Sequence, residues 1–335
     1  MLVGCLRGEA DIEVIGEASD AITANEAIVR CNPDLVTLDI EMPAMDGLSF
    51  LRHLMKFRPL PVIIISSHTP PGSTTSLEAL RAGAVDVMSK PLSPQSAADL
   101  GRRLKRRIRE LRACPVRVRP LAQRRTTLRL PARRPRMAGG LIAIGASAGG
   151  PQALELLLTQ LPPDVPPIVI VQHMPAAFIP LFAERLDQIC PMRVAVATPG
   201  EKLMPGVAYL AGGNHHFVVE QSGGSLLAGA TRGSPVHHQR PAVDVLFHSI
   251  ARLRGVPVVG VLLTGMGHDG ADGMVALRGA GHETIAEDAK SCVVFGMPRE
   301  AIARGGAGHI LMLEQMPATI LGHFDLPDET GRATP

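Results

Sequence analysis

Short β-branched runs recur through the first part of the chain: IEVIGEA (12–18), DLVTLD (34–39), VIIISS (62–67) and AVDVM (84–88). Amphipathic stretches separate them. Runs this short and this apolar suit strands buried on both faces, and the stretches between suit covering helices, so the pattern predicts βαβ units around a parallel sheet. A last helix is predicted from about Ser93, with Leu100, Leu104, Ile108 and Leu111 on one face. The periodicity fails beyond Cys114. Prolines at 115, 120, 131 and 135 forbid a continuous helix, and the stretch reads as a semi-rigid linker. A second α/β rhythm starts at Leu141, with LIAIG, PIVIVQH, MRVAVA, VAYLAG, VPVVGVLLTG and GHETIAE as strand candidates. The predicted organisation is an α/β unit over 1–113, a linker over 114–138, and a doubly wound, mostly parallel α/β/α unit over 139–327. A frayed tail, 328–335, closes the chain.

Charge sharpens the linker. The whole chain of 335 residues carries a formal net charge of only +3, yet residues 101–136 contain fourteen Arg, one Lys and one Glu. The remainder is therefore acidic. With no Trp and one Tyr there is no stacking platform for single strands, so the basic run is read as solvated and self-repelling rather than as a nucleic-acid site. No apolar run reaches the ~18 residues of a membrane span, and the start has no room for a signal peptide, so a cytoplasmic location without membrane insertion is expected. The five cysteines are scattered and unpaired in spacing, which points to neither a disulfide framework nor a zinc site.

Three residues in the first unit sit where open parallel sheets carry their chemistry. Asp39, Ser66 and Lys90 each end or follow a predicted strand, and an acid, a hydroxyl and an ammonium on neighbouring strand ends suit a phosphoryl acceptor. LDIEMPAMDG, PVIIISS and ALRAGAVDVMSKP closely resemble the receiver domain of two-component response regulators, in the variety found in chemotaxis methylesterases of the CheB family. The resemblance implies a flavodoxin-like fold, phosphorylation at Asp39, a switch hydroxyl at Ser66, the receiver lysine at Lys90, and Mg²⁺ bound at Asp39 with an acidic pair. Two departures stand out. Val87 occupies the place of a common aromatic switch residue, and the family's first strand with its acidic pair has no counterpart ahead of Leu2. That strand belongs at the centre of the sheet, between IEVIGEA and DLVTLD. The expectation is a receiver that folds poorly as written, with a true start farther upstream favoured over a genuine truncation.

In the second unit GASAGG meets the pattern G-x-S-x-G with Gly145, Ser147 and Gly149, a turn of small residues that presents the serine hydroxyl. A nucleophilic serine needs a base, and His173 follows the next strand. The orienting acid is expected from TGMGHDGADG, where Asp269 is favoured and Asp272 competes. Met266 and Ala148 N–H groups are candidates for an oxyanion hole. His215, His216, His237 and His238 occur as loop pairs and are read as solvated or substrate-contacting. No carboxylate or third histidine stands at ligand spacing in the sequence, so no metal is expected here.

IGASAGGPQAL, VQHMPAAFIPLFAERLD, SPVHHQRPAVDVLF, LLTGMGHDGADGM and SCVVFGMPREAI resemble the catalytic domain of CheB-type protein-glutamate methylesterases from Leu141 to about Leu326. The departures are Ala148, where Thr is common, and Ala211, where proline is frequent. The resemblance implies catalytic roles for Ser147, His173 and Asp269, an oxyanion role for Met266, and no cofactor for the esterase. It implies hydrolysis of glutamate γ-methyl esters, with deamidation of glutamines, on the cytoplasmic helices of methyl-accepting chemoreceptors. A chemotaxis histidine kinase would serve the receiver. The competing expectations are a non-catalytic signalling adaptor and the same esterase chemistry on receptors outside motility.

Overall fold

Side-chain caps set the first helix starts. Asp20 accepts from the Ile22 and Thr23 N–H groups at 2.9 Å each, and Asp46 accepts from the Ser49 N–H at 2.9 Å, meeting donors that a helix start leaves open. The computed structural model describes residues 2–42, 45–66, 74–90, 94–113 and 139–324. The predicted linker, 114–138, and tail, 328–335, lie outside these.

The N-terminal half runs α1 (Leu2–Leu6), α2 (Ala21–Cys31), β1 (Val36–Leu38), α3 (Gly47–Phe57), β2 (Val62–Ser66), α4 (Thr74–Ala82), β3 (Asp86–Ser89) and α5 (Pro94–Ala113). Its sheet is parallel, in the order β1-β2-β3. The central strand β2 is buried on both faces, as its unbroken apolar run predicts. Val62 and Ile64 pack with Ile28, Leu51 and Leu54 of α2 and α3, whereas Ile63 and Ile65 pack with Leu100 and Leu104 of α5.

One expected strand is absent. Residues 12–18 have no regular structure and leave Val14 and Ile15 exposed. Among the described residues no strand lies along the outer edge of β1. A β segment exists only through its ladder, so IEVIGEA, apolar pattern notwithstanding, has nothing to pair with.

The C-terminal half contains β4 (Leu141–Ala146), α6 (Gly150–Leu158), β5 (Ile168–Gln172), α7 (Ile179–Ile189), β6 (Arg193–Val196), β7 (Val207–Leu210), β8 (His216–Ser222), β9 (Ser225–Thr231) and α8 (Val243–Ile250). It continues with β10 (Val258–Leu262), α9 (Ala271–Gly279), β11 (Glu283–Glu287), α10 (Met297–Ala303), β12 (His309–Leu311) and α11 (Met316–Phe324). Seven strands form one parallel sheet, β12-β11-β10-β4-β5-β7-β6. All six predicted strands are in it. Alternate residues feed opposite cores: Ile142 and Ile144 pack with α6, α7 and α11, while Leu141 and Ala143 pack with α8, α9 and α10.

The antiparallel hairpin β8–β9 and the edge strand β12 were not anticipated. The hairpin had a readable signal in Gly223-Gly224, whose φ values of 54° and 76° make the tight turn. Three-residue β12, with two exposed positions, has too little pattern to read.

Candidate active site

The central strands β10, β4 and β5 are neighbours, and the residues beyond their carboxyl ends meet. Ser147 follows β4, His173 follows β5, and Asp269 lies in the loop between β10 and α9. His173 Nε2 is 2.8 Å from Asp269 Oδ2, with only 4% and 3% of the two side chains exposed. The carboxylate also caps α8: Oδ2 accepts from the Val243 N–H at 2.8 Å and Oδ1 from the Asp244 N–H at 2.9 Å. Burial pushes the Asp269 carboxyl up, but the bonds from His173, Asp244 and Val243 outweigh it and hold the pKa below the ordinary carboxylate range. An ionised Asp269 makes Nε2 the N–H donor. His173 Nδ1, buried and without a partner among the described residues, is then the basic nitrogen.

The turn around Ser147 is built by its neighbours. Left-handed backbone falls at Gly149, φ 77°, where an added Cβ would lie 2.6 Å from Val293 Cβ. Ser147 N–H donates to Thr264 O at 3.0 Å. Gly265 lies against the serine, since a Cβ added there would be 2.9 Å from Ser147 Cβ. Thr264 Oγ donates to Ala148 O at 2.9 Å and accepts from the Val294 N–H at 2.9 Å, tying the serine turn to the 264–266 loop. The Ala148 and Met266 N–H groups have no acceptor among the described residues, as oxyanion donors require.

Sequence reasoning overlooked two supports. Buried Gln172 Nε2 donates to Ser147 O at 2.8 Å and to His173 O at 3.0 Å, fixing the serine turn against the histidine strand. Asp244 accepts from the Gly273 N–H at 2.7 Å and faces His237 Nε2 at 3.1 Å. Adjacency to His173 was the one clue to Gln172, whereas the role of Asp244 exists only once α8 meets α9.

The alternatives separate cleanly. Asp272 is exposed and pairs with Arg304 at 2.5 Å, away from His173. His216 is buried, its Nδ1 accepting from the Ala242 N–H at 3.2 Å and its Nε2 facing Ser234 O at 3.0 Å; the expectation of a solvated or substrate-contacting residue fails for it because the 231–242 loop closes over it. His237, Asp244 and Asp272 bring ligand atoms within 4.8 Å of one another, a convergence their sequence spacing had hidden. Each already has a protein partner in His237–Asp244, Gly273–Asp244 or Arg304–Asp272.

Asp39, Ser66 and Lys90 stand at three adjacent strand ends. Lys90 forms an ion pair with Asp39, Ser66 is buried at the end of β2, and Asp39 Oδ1 accepts from the Glu41 N–H at 3.2 Å. Among the described residues no group of three potential ligands includes Asp39. Asp39 with its Lys90 partner does not by itself make the oxygen-rich donor set that Mg²⁺ takes.

The two halves meet over Ser147. Val85 and Met88 share an apolar cluster with Ala148, Met266, Val293 and Val294, and Phe178 joins the cluster of α3 and α4. Arg81 Nε lies 2.6 Å from Glu155 Oε1, and Gln152 Nε2 donates to the Leu80 and Arg81 carbonyls at 2.9 and 2.8 Å. Asp86, Val87 and Arg107 line one wall of the cleft opposite Ser147 and His173, leaving about 20 Å³. That is room for one water.

Among the described residues no helix is long and apolar enough to cross a membrane. The model of the CheB methylesterase family matches residues 142–320, and that of the response regulator receiver domain matches residues 1–100. The chain is 46% identical over 317 residues to protein-glutamate methylesterase/protein-glutamine glutaminase 2 of Syntrophus aciditrophicus, an overlap of 93% of this chain and 91% of that protein. It is 44% identical over 323 residues to protein-glutamate methylesterase/protein-glutamine glutaminase 1 of Cupriavidus metallidurans, covering 95% and 90%. The crystal structure of the Thermotoga maritima CheB methylesterase catalytic domain aligns at 35% identity with a TM-score of 0.54, over 55% of this chain and 98% of that one. The chain therefore belongs to the CheB methylesterase family and joins a receiver domain to a methylesterase domain.

Proposed function

We propose that this protein hydrolyses glutamate γ-methyl esters on the cytoplasmic helices of methyl-accepting chemoreceptors, releasing methanol, and deamidates glutamines at such sites. The observation that carries the reading is the buried His173–Asp269 pair at 2.8 Å, on strands flanking the one that ends at Ser147. Asp269 holds Nε2–H, so Nδ1 takes the Ser147 proton as Oγ adds to the ester carbonyl carbon. The charge that moves onto the carbonyl oxygen is met by the Ala148 and Met266 N–H groups. Collapse breaks the carbon–methoxy bond, and the departing oxygen takes the proton from Nδ1 and leaves as methanol. Water then adds to the acyl-serine ester, giving a proton to Nδ1 that returns to Ser147 as glutamate is released. With glutamine the group expelled in the first half is ammonia.

The receiver domain acts as a lid. A cleft of about 20 Å³ excludes a methylated glutamate side chain, so turnover requires the halves to part. Strand β3 links the two events: Asp86, at its start, lies in the interface, and Lys90, just beyond its end, pairs with Asp39. Phosphorylation of Asp39 by a chemotaxis histidine kinase would claim Lys90 for the phosphoryl oxygens and disturb the strand that holds the lid.

The test is methanol release from methylated receptor membranes by the full chain. Release is expected from the wild type, more of it with a phosphoryl donor, and none from Ser147→Ala. A wild-type protein that releases no methanol overturns the reading.

A further inference from the structure

One ionisable group stands beneath the active site without a part in the chemistry above. Glu287, the last residue of β11, is fully buried, and its Oε2 accepts from the Thr264 N–H at 2.7 Å. Among the described residues no donor meets its Oε1 in hydrogen-bond geometry, although the Ser291 hydroxyl and the Cys292 thiol lie nearby. Thr264 is the residue whose carbonyl receives the Ser147 N–H and whose hydroxyl holds Ala148 O, and Met266 follows two positions later. Glu287 thus holds one end of the bridge between the nucleophile turn and the proposed oxyanion loop.

The groups that face Glu287 include hydrogen-bond donors but no cation. From β10 and the loop after it comes the Thr264 N–H, from the 288–292 turn the Ser291 hydroxyl and the Cys292 thiol, and from the single turn Leu313–Gln315 the carboxylate of Glu314. No lysine, arginine or histidine is among them, and Glu314 repels. Burial, foremost, pushes the Glu287 carboxyl up to about 7, against the Thr264 N–H, the Ser291 hydroxyl and the Cys292 thiol, which pull it down. Burial likewise raises the Cys292 thiol, so it stays protonated and adds no second charge.

We propose that Glu287 is a positioning residue for the esterase, holding the Thr264 bridge as a neutral carboxyl and lowering turnover when it ionises. The inference rests on the esterase reading above. Ionisation would act in two ways. A buried anion with one bare oxygen draws water or donors toward itself and shifts the 264–266 loop. It also sets a negative charge beneath the place where the oxyanion forms, opposing the charge the transition state develops. The two effects have the same sign. Turnover should therefore fall as pH rises through the titration of Glu287.

The test is the pH profile of methanol release by full-chain wild type, Glu287→Gln and Glu287→Ala on methylated receptor membranes, with Ser147→Ala as the background. Glutamine keeps the acceptor for Thr264 and cannot ionise, so Glu287→Gln should match the wild type at pH 6 and lose its fall in kcat near neutrality, with KM unchanged. Glu287→Ala removes the bridge support and should lower kcat by about tenfold at every pH. Infrared difference spectra should show a protonated carboxyl band near neutral pH in wild type that Glu287→Gln lacks. An active wild type whose profile Glu287→Gln reproduces, alkaline limb included, overturns this inference alone. A wild type without activity overturns the esterase reading, and this inference with it.

Discussion

Arg107 Nη1 lies 3.4 Å from Met266 Sδ, so the last helix of the receiver half touches the loop that carries a proposed oxyanion donor. The guanidinium is held from behind by Asp86 at 2.5 Å and Glu110 at 3.1 Å. It belongs to the lid but presses on the active site. A hydrogen bond to a thioether sulfur, a weak acceptor, contributes no more than about 0.5–1.5 kcal/mol, so its loss shifts the open-closed balance by roughly twofold to tenfold. Arg107→Ala should accordingly raise methanol release by the unphosphorylated full chain while leaving release by the phosphorylated form nearly unchanged. Equal release by variant and wild type without phosphoryl donor would show that Arg107 holds nothing shut.

The Arg81–Glu155 ion pair gives an independent hold on the same interface. Arg81→Glu should increase basal release by placing like charges together, and Arg81→Glu combined with Glu155→Arg should return it toward the wild-type level. An additive pair of effects, with no restoration, would mean that the contact does not couple the halves.

His173→Ala should reduce methanol release to near the Ser147→Ala background, because a triad acts as a unit. Asp269→Asn, which offers His173 the wrong tautomer, should lower kcat by ~10³–10⁴-fold. Asp272→Asn, on the exposed side of the same loop, should stay within about twofold of wild type, the ordinary range for a surface change. Kinetics in which Asp272→Asn is the damaging change would move the acid to the other carboxylate.

Glu287 also predicts a pH dependence of stability. The folded chain keeps its proton up to about 7 and the unfolded chain only to the ordinary glutamate value of about 4.5. Its contribution is full below the lower value and is lost as pH rises through the upper one. The melting temperature of wild type should fall relative to that of Glu287→Gln between pH 5 and 8. Parallel melting curves for the two across that range would place the carboxyl at its ordinary value.

The parallel core was legible because buried strands carry unbroken apolar runs. LIAIG and VPVVGVLLTG needed no partner to be recognised, and the strand ends led directly to Ser147, His173 and Asp269. IEVIGEA shows the limit, since the same pattern without a ladder yields exposed Val14 and Ile15. Asp244 and Glu287 were unreadable, and Gln172 nearly so, for a different reason. Their roles are hydrogen bonds to backbone atoms 23–29 residues away in sequence, and no local spacing marks the residue that will meet a given peptide group. The narrowness of the cleft was hidden too, because it depends on how the two halves pack against one another.

The attachment of Asp269 to the start of α8 has a consequence for lineages in which this chemistry falls out of use. Two main-chain donors rest on that carboxylate, so replacing it would cost a helix cap worth about 0.5–2 kcal/mol before any question of catalysis arises. Drift would be slow to erase it. The Ser147 hydroxyl supports no other group among the described residues, and alanine would fit the same turn. In descendants of this chain, a surviving aspartate would testify to folding, and a surviving serine to continued use.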